Sequence, residues 1–288
     1  MIKKVKKALY GDKEEIVLPI YEKYTIEKGE AERGHRNFLT FHPSAFGDCL
    51  RKMAFQYHGE TKPKYREMKP ISPQFTRICD AGHAFHHRMQ STLSQMGILR
   101  GWWRCRSCGN ILGKEEPQIG IFLPETCECL KSDDKRRGLN LFEYEEINLR
   151  SDPEYNITGH CDGIVELEKG NPDSRYIIDF KTIKTENYAF LKEADSKYKT
   201  QVTIYMWLSG VKKSIIYYEN KNDHDVSEFP VVYEEGRGKE IMDTAKKLFL
   251  LVKDGKIPKQ NSSYTKTKDP CRYCYYKDKF CFQNCSTI

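Results

Sequence analysis

A strand-turn-strand segment near the middle of the chain constrains its fold more than any other stretch. Approximate alternation of apolar and polar residues predicts β-strands at residues 155–167 and 176–181, and the Gly, Pro and Asn residues between them predict a turn. If the hairpin folds about the middle of that turn, Asp162 lies opposite Asp179 on the partner strand. Because side chains two residues apart share a strand face, Lys181 lies on the same side as Asp179.

This predicted group of two carboxylates and a lysine has two explanations. Like charges directly opposite one another destabilise a strand pair, and a divalent cation bound by both carboxylates would remove the repulsion. Hard oxygen ligands suit Mg²⁺ or Mn²⁺, which bind through carboxylates and substrate phosphate. Alternatively, the hairpin face is solvated and Lys181 neutralises one acid. The geometry alone leaves both explanations open.

The composition limits the class of protein. A chain of 288 residues can bury one core, with room for a small insertion. The formal net charge of +7 favours a polyanionic partner without proving one. No apolar run is long enough to span a bilayer, and the lysine-rich N-terminus lacks the apolar segment of a secretion signal. We therefore expect an intracellular, cytoplasmic protein without a membrane partner.

The eleven cysteines indicate metal rather than disulfides, because the cytosol is reducing. Two groups stand out, namely Cys105, Cys108, Cys127 and Cys129, and Cys271, Cys274, Cys281 and Cys285. The first pair of the first group has the knuckle spacing of a zinc ribbon, whereas its second pair is more closely spaced. We predict a structural Zn²⁺ site in a zinc-ribbon-like insertion at residues 99–132. Two pairs of free thiols in a loop are the alternative.

Three short motifs follow one another along the chain, Gly159-x-x-Asp162, Asp179-x-Lys181 and Gln201-x-x-x-Tyr205. This series resembles the PD-(D/E)xK nuclease superfamily, specifically the RecB-like exonuclease branch that includes the iron-sulfur nucleases of CRISPR adaptation and many phage exonucleases. The resemblance runs from about residue 44 to residue 281. It implies a mixed α/β (α+β) fold, a restriction-endonuclease-like core built on a mixed sheet.

The resemblance also implies roles for individual residues. The residues implied to hold Mg²⁺ or Mn²⁺ are His86, Asp162, Asp179 and, through its backbone carbonyl, Phe180. Lys181 is implied to orient or help deprotonate the attacking water. Gln201 and Tyr205 are implied to position substrate, although their spacing alone indicates an ordinary helix surface.

The metal-ligating histidine is implied by a Gly-x-x-x-His motif that begins at Gly82 and ends at His86. His83 and His87 lie close to His86 on the same predicted helix, so the assignment to His86 could shift to either. Glu145 or Glu146, on a strand predicted at residues 142–149, could approach the metals. The sequence favours solvent-facing edge charges for both.

The C-terminal cysteines resemble the triad of the iron-sulfur nucleases. With Cys49, which lies in the middle of a helix predicted over residues 45–57, Cys271, Cys274 and Cys281 are implied to bind a [4Fe-4S] cluster. A zinc site made by the four tail cysteines, including Cys285, is the rival. Such a site would leave Cys49 free.

These observations combine into a domain plan and a function. We expect a polar N-terminal arm (residues 1–43), a helical segment with Cys49 and the histidine motif (44–98), the zinc-ribbon-like insertion (99–132), a nuclease core (133–256) and a Cys-rich C-terminal staple that packs back on the N-terminal helices (257–288). The expected function is a metal-dependent DNA exonuclease in phage or bacterial recombination, replication or repair. Its DNA would be single-stranded or have a free end, and a protein of recombination, replication or CRISPR adaptation could be its partner. A structure-specific endonuclease and a non-catalytic nucleic-acid clamp are the alternatives.

Overall fold

The structure is a computed structural model that describes residues 16–33, 36–67, 70–120, 127, 129 and 141–282. Its described residues fall into two compact units. One unit comprises the described residues of Met1–Asn37 and Met68–Ala81, and the other comprises those of Phe38–Glu67 and Gly82–Ile288. The domain boundaries expected from the sequence remain predictions.

Regular secondary structure occurs throughout the described residues. Helices α1 to α6 span Leu18–Arg33, Leu50–Gly59, Pro73–Gln95, Thr185–Tyr188, Ser196–Ser209 and Glu235–Lys253. Strands β1 to β10 span Leu99–Cys105, Ile111–Leu112, Gln118–Ile119, Phe142–Glu145, Ile147–Arg150, Thr158–Cys161, Gly163–Glu166, Arg175–Ile183, Lys213–Asn220 and Val226–Val232. Short 3₁₀ turns occur at Pro43–Ala45, Pro63–Tyr65 and Pro172–Ser174, and a π-helical turn at Lys277–Cys281. No described helix is long and apolar enough to cross a membrane.

The smaller unit contains helix α1 and the start of helix α3. Helix α1 carries Lys28, whose ammonium forms an ion pair with Asp80 at 2.6 Å. A Cβ on Gly29 would lie 2.8 Å from the side chain of Ile71, so this glycine permits a close approach. Helix α3 begins with a proline at its first position, and the hydroxyl of Ser72 accepts the backbone N–H of Phe75.

The larger unit is organised around a mixed sheet with the strand order β10-β9-β8-β7-β1-β2. Strands β3 and β4 also pair with β1, and β5 and β6 form a separate two-stranded sheet. Strands β8 and β9 are parallel. Parallel strands require a crossover connection, which here contains helix α5. The mixed α/β fold expected from the sequence is confirmed.

Strand β8 is buried on both faces because helices cover the sheet on each side. Ile177 packs with Val202 and Met206 of helix α5 in one cluster. On the opposite face, Ile178 packs with Phe85 of helix α3 in another cluster. Because successive side chains alternate between the two faces of a strand, Asp179 and Lys181 share the α5 face with Ile177.

The hairpin register predicted from the sequence is confirmed. Gly163 pairs with Ile178 and Val165 pairs with Tyr176, so the next step along the ladder sets Asp162 against Asp179. The turn between the strands contains Gly170 at φ +77° and a 3₁₀ turn, Pro172–Ser174. Glycine adopts this left-handed conformation at little cost.

Two strands that the sequence predicts as continuous are each divided by a bend. The strand predicted at residues 142–149 becomes β4 and β5, with Glu146 between them, and the strand predicted at residues 155–167 becomes β6 and β7, with Asp162 between them. At the first bend the chain leaves the large sheet and joins the two-stranded one, and at the second bend it returns to the large sheet. Extending the β5–β6 register by one pair from Ile147 and Cys161 sets Glu146 against Asp162.

The helix predicted over residues 45–57 begins later than expected, and Cys49 is its N-cap rather than a residue in its middle. Residues 43–45 form a 3₁₀ turn instead. The physical reason lies at Gly47, where an added Cβ would come within 2.3 Å of the Cβ of Lys197 on helix α5. The backbone passes so close to helix α5 at this point that only a glycine fits.

Candidate active site

The candidate site lies where helices α3 and α5 approach the two bends of the sheet. Three carboxylates meet there, those of Glu146, Asp162 and Asp179. Ligand atoms of His86, Glu146 and Asp162 lie within 4.8 Å of one another. The backbone N–H of Phe180 donates to Asp162 Oδ2 at 2.6 Å, which fixes this carboxylate beside strand β8.

Asp179 is completely buried in the strand. Its Oδ1 accepts a hydrogen bond of 3.0 Å from the amide of Gln201. Its Oδ2 forms an ion pair with the ammonium of Lys181 at 2.5 Å. Burial raises the pKa of Asp179 to about 6, against the lowering effect of Lys181 and with a further rise from Asp162. Both oxygens of this carboxylate therefore contact a positively polarised or charged group.

Lys181 is held between acids and an aromatic ring. Burial lowers the pKa of its ammonium, but the negative charges of Asp179 and Asp162 outweigh that effect and the net pKa is raised. The ammonium lies 4.8 Å from the ring centroid of Tyr198 and donates to the carbonyl of Phe180 at 3.3 Å. A positive charge is therefore fixed beside the two aspartates.

His86 is the histidine that reaches the acids. Its Nδ1 lies 3.4 Å from Asp162 Oδ1, whereas His83 and His87 have exposed side chains. Burial lowers the pKa of His86, but the hydrogen bond and charge of Asp162 outweigh it and the net pKa is raised. Burial likewise opposes ionisation of Asp162, but His86 and Lys181 hold its pKa below its ordinary value.

Glu146 belongs to the site, although the sequence favoured an exposed edge charge. Gln90, one turn beyond His86 on helix α3, donates to Glu146 Oε1 at 3.0 Å and to the carbonyl of Asp162 at 2.9 Å. Burial and the negative charge of Asp162 raise the pKa of Glu146. Glu145, by contrast, points outward and forms an ion pair with Arg104.

A sequence signal for Glu146 existed in the apolar pattern. Phe142 and Tyr144 occupy even positions, whereas Ile147 and Leu149 occupy odd positions. Such a shift of phase indicates that the strand bends and exchanges its faces near residue 146.

Gln201 and Tyr205 lie behind Asp179, and their burial excludes an ordinary helix surface. The hydroxyl of Tyr205 donates to the carbonyl of His160 at 2.7 Å, and the Gln201 amide lies 3.4 Å from that hydroxyl. The pair therefore holds the backbone before Asp162 and the carboxylate of Asp179 in fixed positions.

The structure brings the first cysteine group together. The sulfur atoms of Cys105, Cys108, Cys127 and Cys129 all lie within 4.8 Å of one another, with three of the separations between 3.3 and 3.5 Å. Four thiolates at about 2.3 Å from a tetrahedral Zn²⁺ are separated by roughly 3.8 Å. Burial opposes ionisation of Cys105, but backbone N–H groups of the knuckle lower its pKa to about 6.

Trp103 forms part of the packing of this group. It is buried with Cys105, Cys127 and Phe142. Strand β1, which carries Trp103, begins at Leu99 and pairs with β7 of the large sheet. The cysteine group is therefore anchored directly to a strand of the main sheet.

The second cysteine group lies against the start of helix α2. Burial raises the pKa of Cys271, and the charges of Cys49, Cys274 and Cys281 raise it further, so these four thiols act on one another. Arg51 donates to the carbonyls of Pro258 and Phe280 and lies 3.4 Å from the sulfur of Cys281. Cys285 lies outside the described residues.

The donor set of the acidic site fits a hard divalent cation. Such a cation binds carboxylate oxygens and imidazole nitrogens, and the site offers those of Glu146, Asp162 and His86. Lys181 sets a fixed positive charge beside them. The arrangement is suited to holding a metal ion against an anionic substrate.

Comparison with known proteins gives the same assignment. The sequence profile of the PD-(D/E)XK nuclease superfamily matches residues 42–279. Two proteins of Lactococcus lactis subsp. cremoris are similar over 156 residues, the exonuclease/helicase subunit RexA at 24% identity and a subunit of an ATP-dependent helicase/nuclease at 23%. Each match covers 54% of this chain but only 12% of the relative.

Two solved structures are also similar. The crystal structure of SSO0001 matches 91% of this chain and 94% of its own, at 16% identity and a TM-score of 0.46. An alkaline exonuclease from Laribacter hongkongensis matches 38% of this chain and 57% of its own, at 14% identity and a TM-score of 0.32. On the profile match over most of its length, this chain belongs to the PD-(D/E)XK nuclease superfamily and carries the motif series of its RecB-like branch.

Proposed function

We propose that this chain is a metal-dependent DNA exonuclease that hydrolyses phosphodiester bonds with Mg²⁺ or Mn²⁺. The observation that carries the proposal is the group formed by His86, Glu146 and Asp162, whose ligand atoms lie within 4.8 Å of one another beside the buried Asp179. An acid buried without full compensation is costly, and a bound cation would offset that cost.

The residues that would hold the cation come from three elements. The expected ligands are His86 of helix α3, Asp162 at the second bend, and Asp179 together with the backbone carbonyl of Phe180 on strand β8. Glu146 lies within reach of the same ion or of a second one. A divalent cation lowers the pKa of its bound water and neutralises charge that develops on the phosphate oxygens.

Lys181 and the residues around it support the hydrolysis. Its ammonium, held by Asp179 and the ring of Tyr198, would orient the attacking water or help to deprotonate it. Gln201 and Tyr205 act as positioning residues, because they contact Asp179 and the backbone at His160 rather than open space. Fixed ligands reduce the reorganisation needed when the substrate phosphate binds.

DNA with a free end is the substrate that charge and similarity favour. The net charge of +7 suits a polyanion. The relative RexA is named an exonuclease/helicase subunit, and the match to it covers about half of this chain. We place the enzyme in recombination, replication or repair, with a strand that is single-stranded or has an accessible end.

The two cysteine groups would serve as structural staples. A Zn²⁺ ion held by Cys105, Cys108, Cys127 and Cys129 would join the chain around residue 127 to strand β1. Sulfur separations close to those of a tetrahedral zinc site support this assignment. A short segment with little apolar content needs such a staple.

A [4Fe-4S] cluster held by Cys49, Cys271, Cys274 and Cys281 would join helix α2 to the C-terminal segment. The charges of Cys49, Cys274 and Cys281 all raise the pKa of Cys271, which supports a site shared by these four thiols.

The activity is tested with end-labelled DNA, single- and double-stranded, in Mn²⁺ and in Mg²⁺. We expect stepwise degradation by the wild type and none by Asp179→Ala or Lys181→Ala. Asp225→Ala and Lys221→Ala, which change exposed residues at the end of strand β9 and the following turn, are the matched controls. Equal activity of all four variants and the wild type would refute the assignment of the site.

The same assay separates the alternative functions. Cleavage of covalently closed circles would identify an endonuclease, since a strict exonuclease needs an end. Salt-sensitive binding without turnover in either metal would identify a nucleic-acid clamp. For the sulfur sites, elemental analysis of anaerobically purified protein should find iron together with zinc, and zinc at both sites without iron would refute the cluster.

A further inference from the structure

A buried carboxylate outside the acidic site lies against the helix that carries His86. Glu219, the last but one residue of strand β9, is 5% exposed. One guanidinium nitrogen of Arg88 donates to its Oε1 at 2.7 Å and to its Oε2 at 2.5 Å, and Nδ1 of His224 lies 2.9 Å from Oε1. We call Arg88, Glu219 and His224 the Glu219 clamp. The proposed chemistry uses none of these three residues.

The sheet fixes the position of Glu219. This residue pairs with Thr182 on the parallel strand β8 and with Val226 on the antiparallel strand β10. It follows Tyr217 by two residues, and the ring of Tyr217 packs against Phe85 of helix α3. Because side chains two residues apart share a strand face, Glu219 also faces helix α3. Its carboxylate is therefore a fixed point on the sheet to which the helix is attached.

Glu219 is held in its ionised form. Burial opposes its ionisation, but the hydrogen bonds and charges of Arg88 and His224 keep its pKa below the ordinary value. A buried ion pair often adds little net stability compared with apolar packing of the same volume. The clamp is therefore better explained by the geometry that it fixes than by the stability that it adds.

Helix α3 has three polar attachments to the strands and bends of the larger unit within the described part of the chain. Two of them, made by His86 and Gln90, are bonds to the acids that are expected to surround the cation. Cation binding would change both, since it neutralises these acids and competes for their oxygens. The third, from Arg88 to Glu219, involves no expected ligand. It is therefore the attachment that stays the same with and without metal.

Arg88 and His86 lie in the same turn of helix α3, together with Phe85. The guanidinium of Arg88 lies 5.4 Å from the ring centroid of Phe85, and that ring packs edge-on against Phe180 of strand β8 at 5.8 Å. Because the residues of one helical turn move together, a displacement of Arg88 from Glu219 would also displace His86.

We propose that Arg88 and Glu219 are positioning residues that hold His86 at ligand distance from the acids before the cation binds. A ligand that is already in place need not be ordered by the cation, so the cation binds more tightly. The inference rests on the proposed function in taking His86 as a metal ligand. It extends that function to two residues that touch neither the cation nor the phosphate.

The first test compares Glu219→Gln with Glu166→Gln in the full-length protein. Glu166 is a second buried carboxylate of the large sheet, and its partners, Arg100 and Arg175, lie on strands β1 and β8 rather than on helix α3. Both variants should lower the unfolding temperature, because each breaks a buried ion pair. In calorimetric titration with Mn²⁺ we expect Glu219→Gln to weaken binding about tenfold and Glu166→Gln by less than about twofold. Equal weakening by both variants would overturn the proposal.

Two milder variants keep the test informative if Glu219→Gln does not fold. The side chain of Arg88 is 55% exposed, so its replacement removes little packing. Arg88→Met removes the bond to Glu219 and should weaken Mn²⁺ binding about tenfold. Arg88→Lys should retain affinity within about threefold, because a single ammonium can replace the one nitrogen that donates to both oxygens. Unchanged affinity of Arg88→Met would overturn the proposal.

A double-mutant cycle decides whether the clamp acts through His86. Once the imidazole is removed by His86→Ala, Arg88→Met should weaken Mn²⁺ binding by less than about twofold, whereas its effect on the unfolding temperature should remain. A tenfold loss in both backgrounds would overturn the proposal, because the clamp would then act on the site as a whole. Asp162→Ala identifies the ion that is titrated. If this variant binds Mn²⁺ as the wild type does, the proposed metal site itself fails and the clamp has no ligand to position.

Discussion

Replacing Glu146 by glutamine should separate metal binding from fold stability. Glutamine keeps the shape of the side chain and an oxygen that can accept from Gln90, so only the charge is lost. Ligand atoms of Glu146 and Asp162 lie within 4.8 Å of each other. At an effective dielectric constant of about 20, two negative charges at that distance repel by roughly 3 kcal/mol.

Attraction between Glu146 and His86 offsets part of that repulsion, which leaves an expected gain of about 1–3 kcal/mol for the metal-free variant. A gain of that size raises the unfolding temperature by a few degrees in a chain of this length. Because the pKa of Glu146 is raised in the folded protein, its destabilising effect is present above that pKa. The difference between variant and wild type should therefore diminish as the pH falls towards about 4.5.

The assay is thermal unfolding with and without Mn²⁺, supported by calorimetric titration. In saturating Mn²⁺ the stability gain of the variant should fall by at least about 1.4 kcal/mol, because loss of a ligand weakens binding by at least about tenfold. Glu145→Gln alters the exposed ion pair with Arg104. It should change neither the free energy of unfolding nor the free energy of Mn²⁺ binding by more than about 1 kcal/mol. A metal-free Glu146→Gln protein that is less stable than wild type but binds Mn²⁺ equally well would refute this reasoning.

Three further predictions concern pH and the staples. Because the pKa of Asp179 is raised to about 6, protons compete with the cation for this carboxylate below that pH. The same raised pKa means that the metal-free protein loses stability as the pH rises from about 4 to 6. The rise in unfolding temperature caused by Mn²⁺ should therefore be larger at about pH 7.5 than at about pH 5, and an equal rise would contradict Asp179 as a ligand. Cys108→Ser should remove one zinc per chain and lower the unfolding temperature, whereas Cys79→Ser, outside both cysteine groups, should retain the metal. Arg51→Lys should lower the free energy of unfolding by about 1–3 kcal/mol and reduce the iron content, because one lysine cannot donate to the carbonyls of both Pro258 and Phe280. Unchanged iron content and stability would exclude this role of Arg51.

Features encoded by local sequence could be predicted. The alternation of strands β7 and β8 and the turn around Gly170 specify the hairpin and its register without reference to the rest of the chain. His86 follows from the spacing of a motif on one helix. These elements place Asp162, Asp179 and their neighbours correctly because the pattern repeats every two residues.

Features that depend on distant contacts were not predicted from the sequence. Glu146 turns inward at the bend where the chain passes from β4, which pairs with the distant strand β1, to β5, which pairs with β6. Helix α2 begins late because Gly47 must pass close to Lys197 on helix α5.

The paired bends also determine which changes of length the active site can tolerate during evolution. Glu146 and Asp162 face each other because two ladders, β5–β6 and β7–β8, keep their registers on either side. The turn at residues 167–174 lies outside both ladders, and lengthening a surface turn costs little. One residue inserted within β5 or β6 would instead turn one acid to the opposite face of the sheet. Insertions and deletions in homologous chains should therefore accumulate in the turns and be absent from these strands.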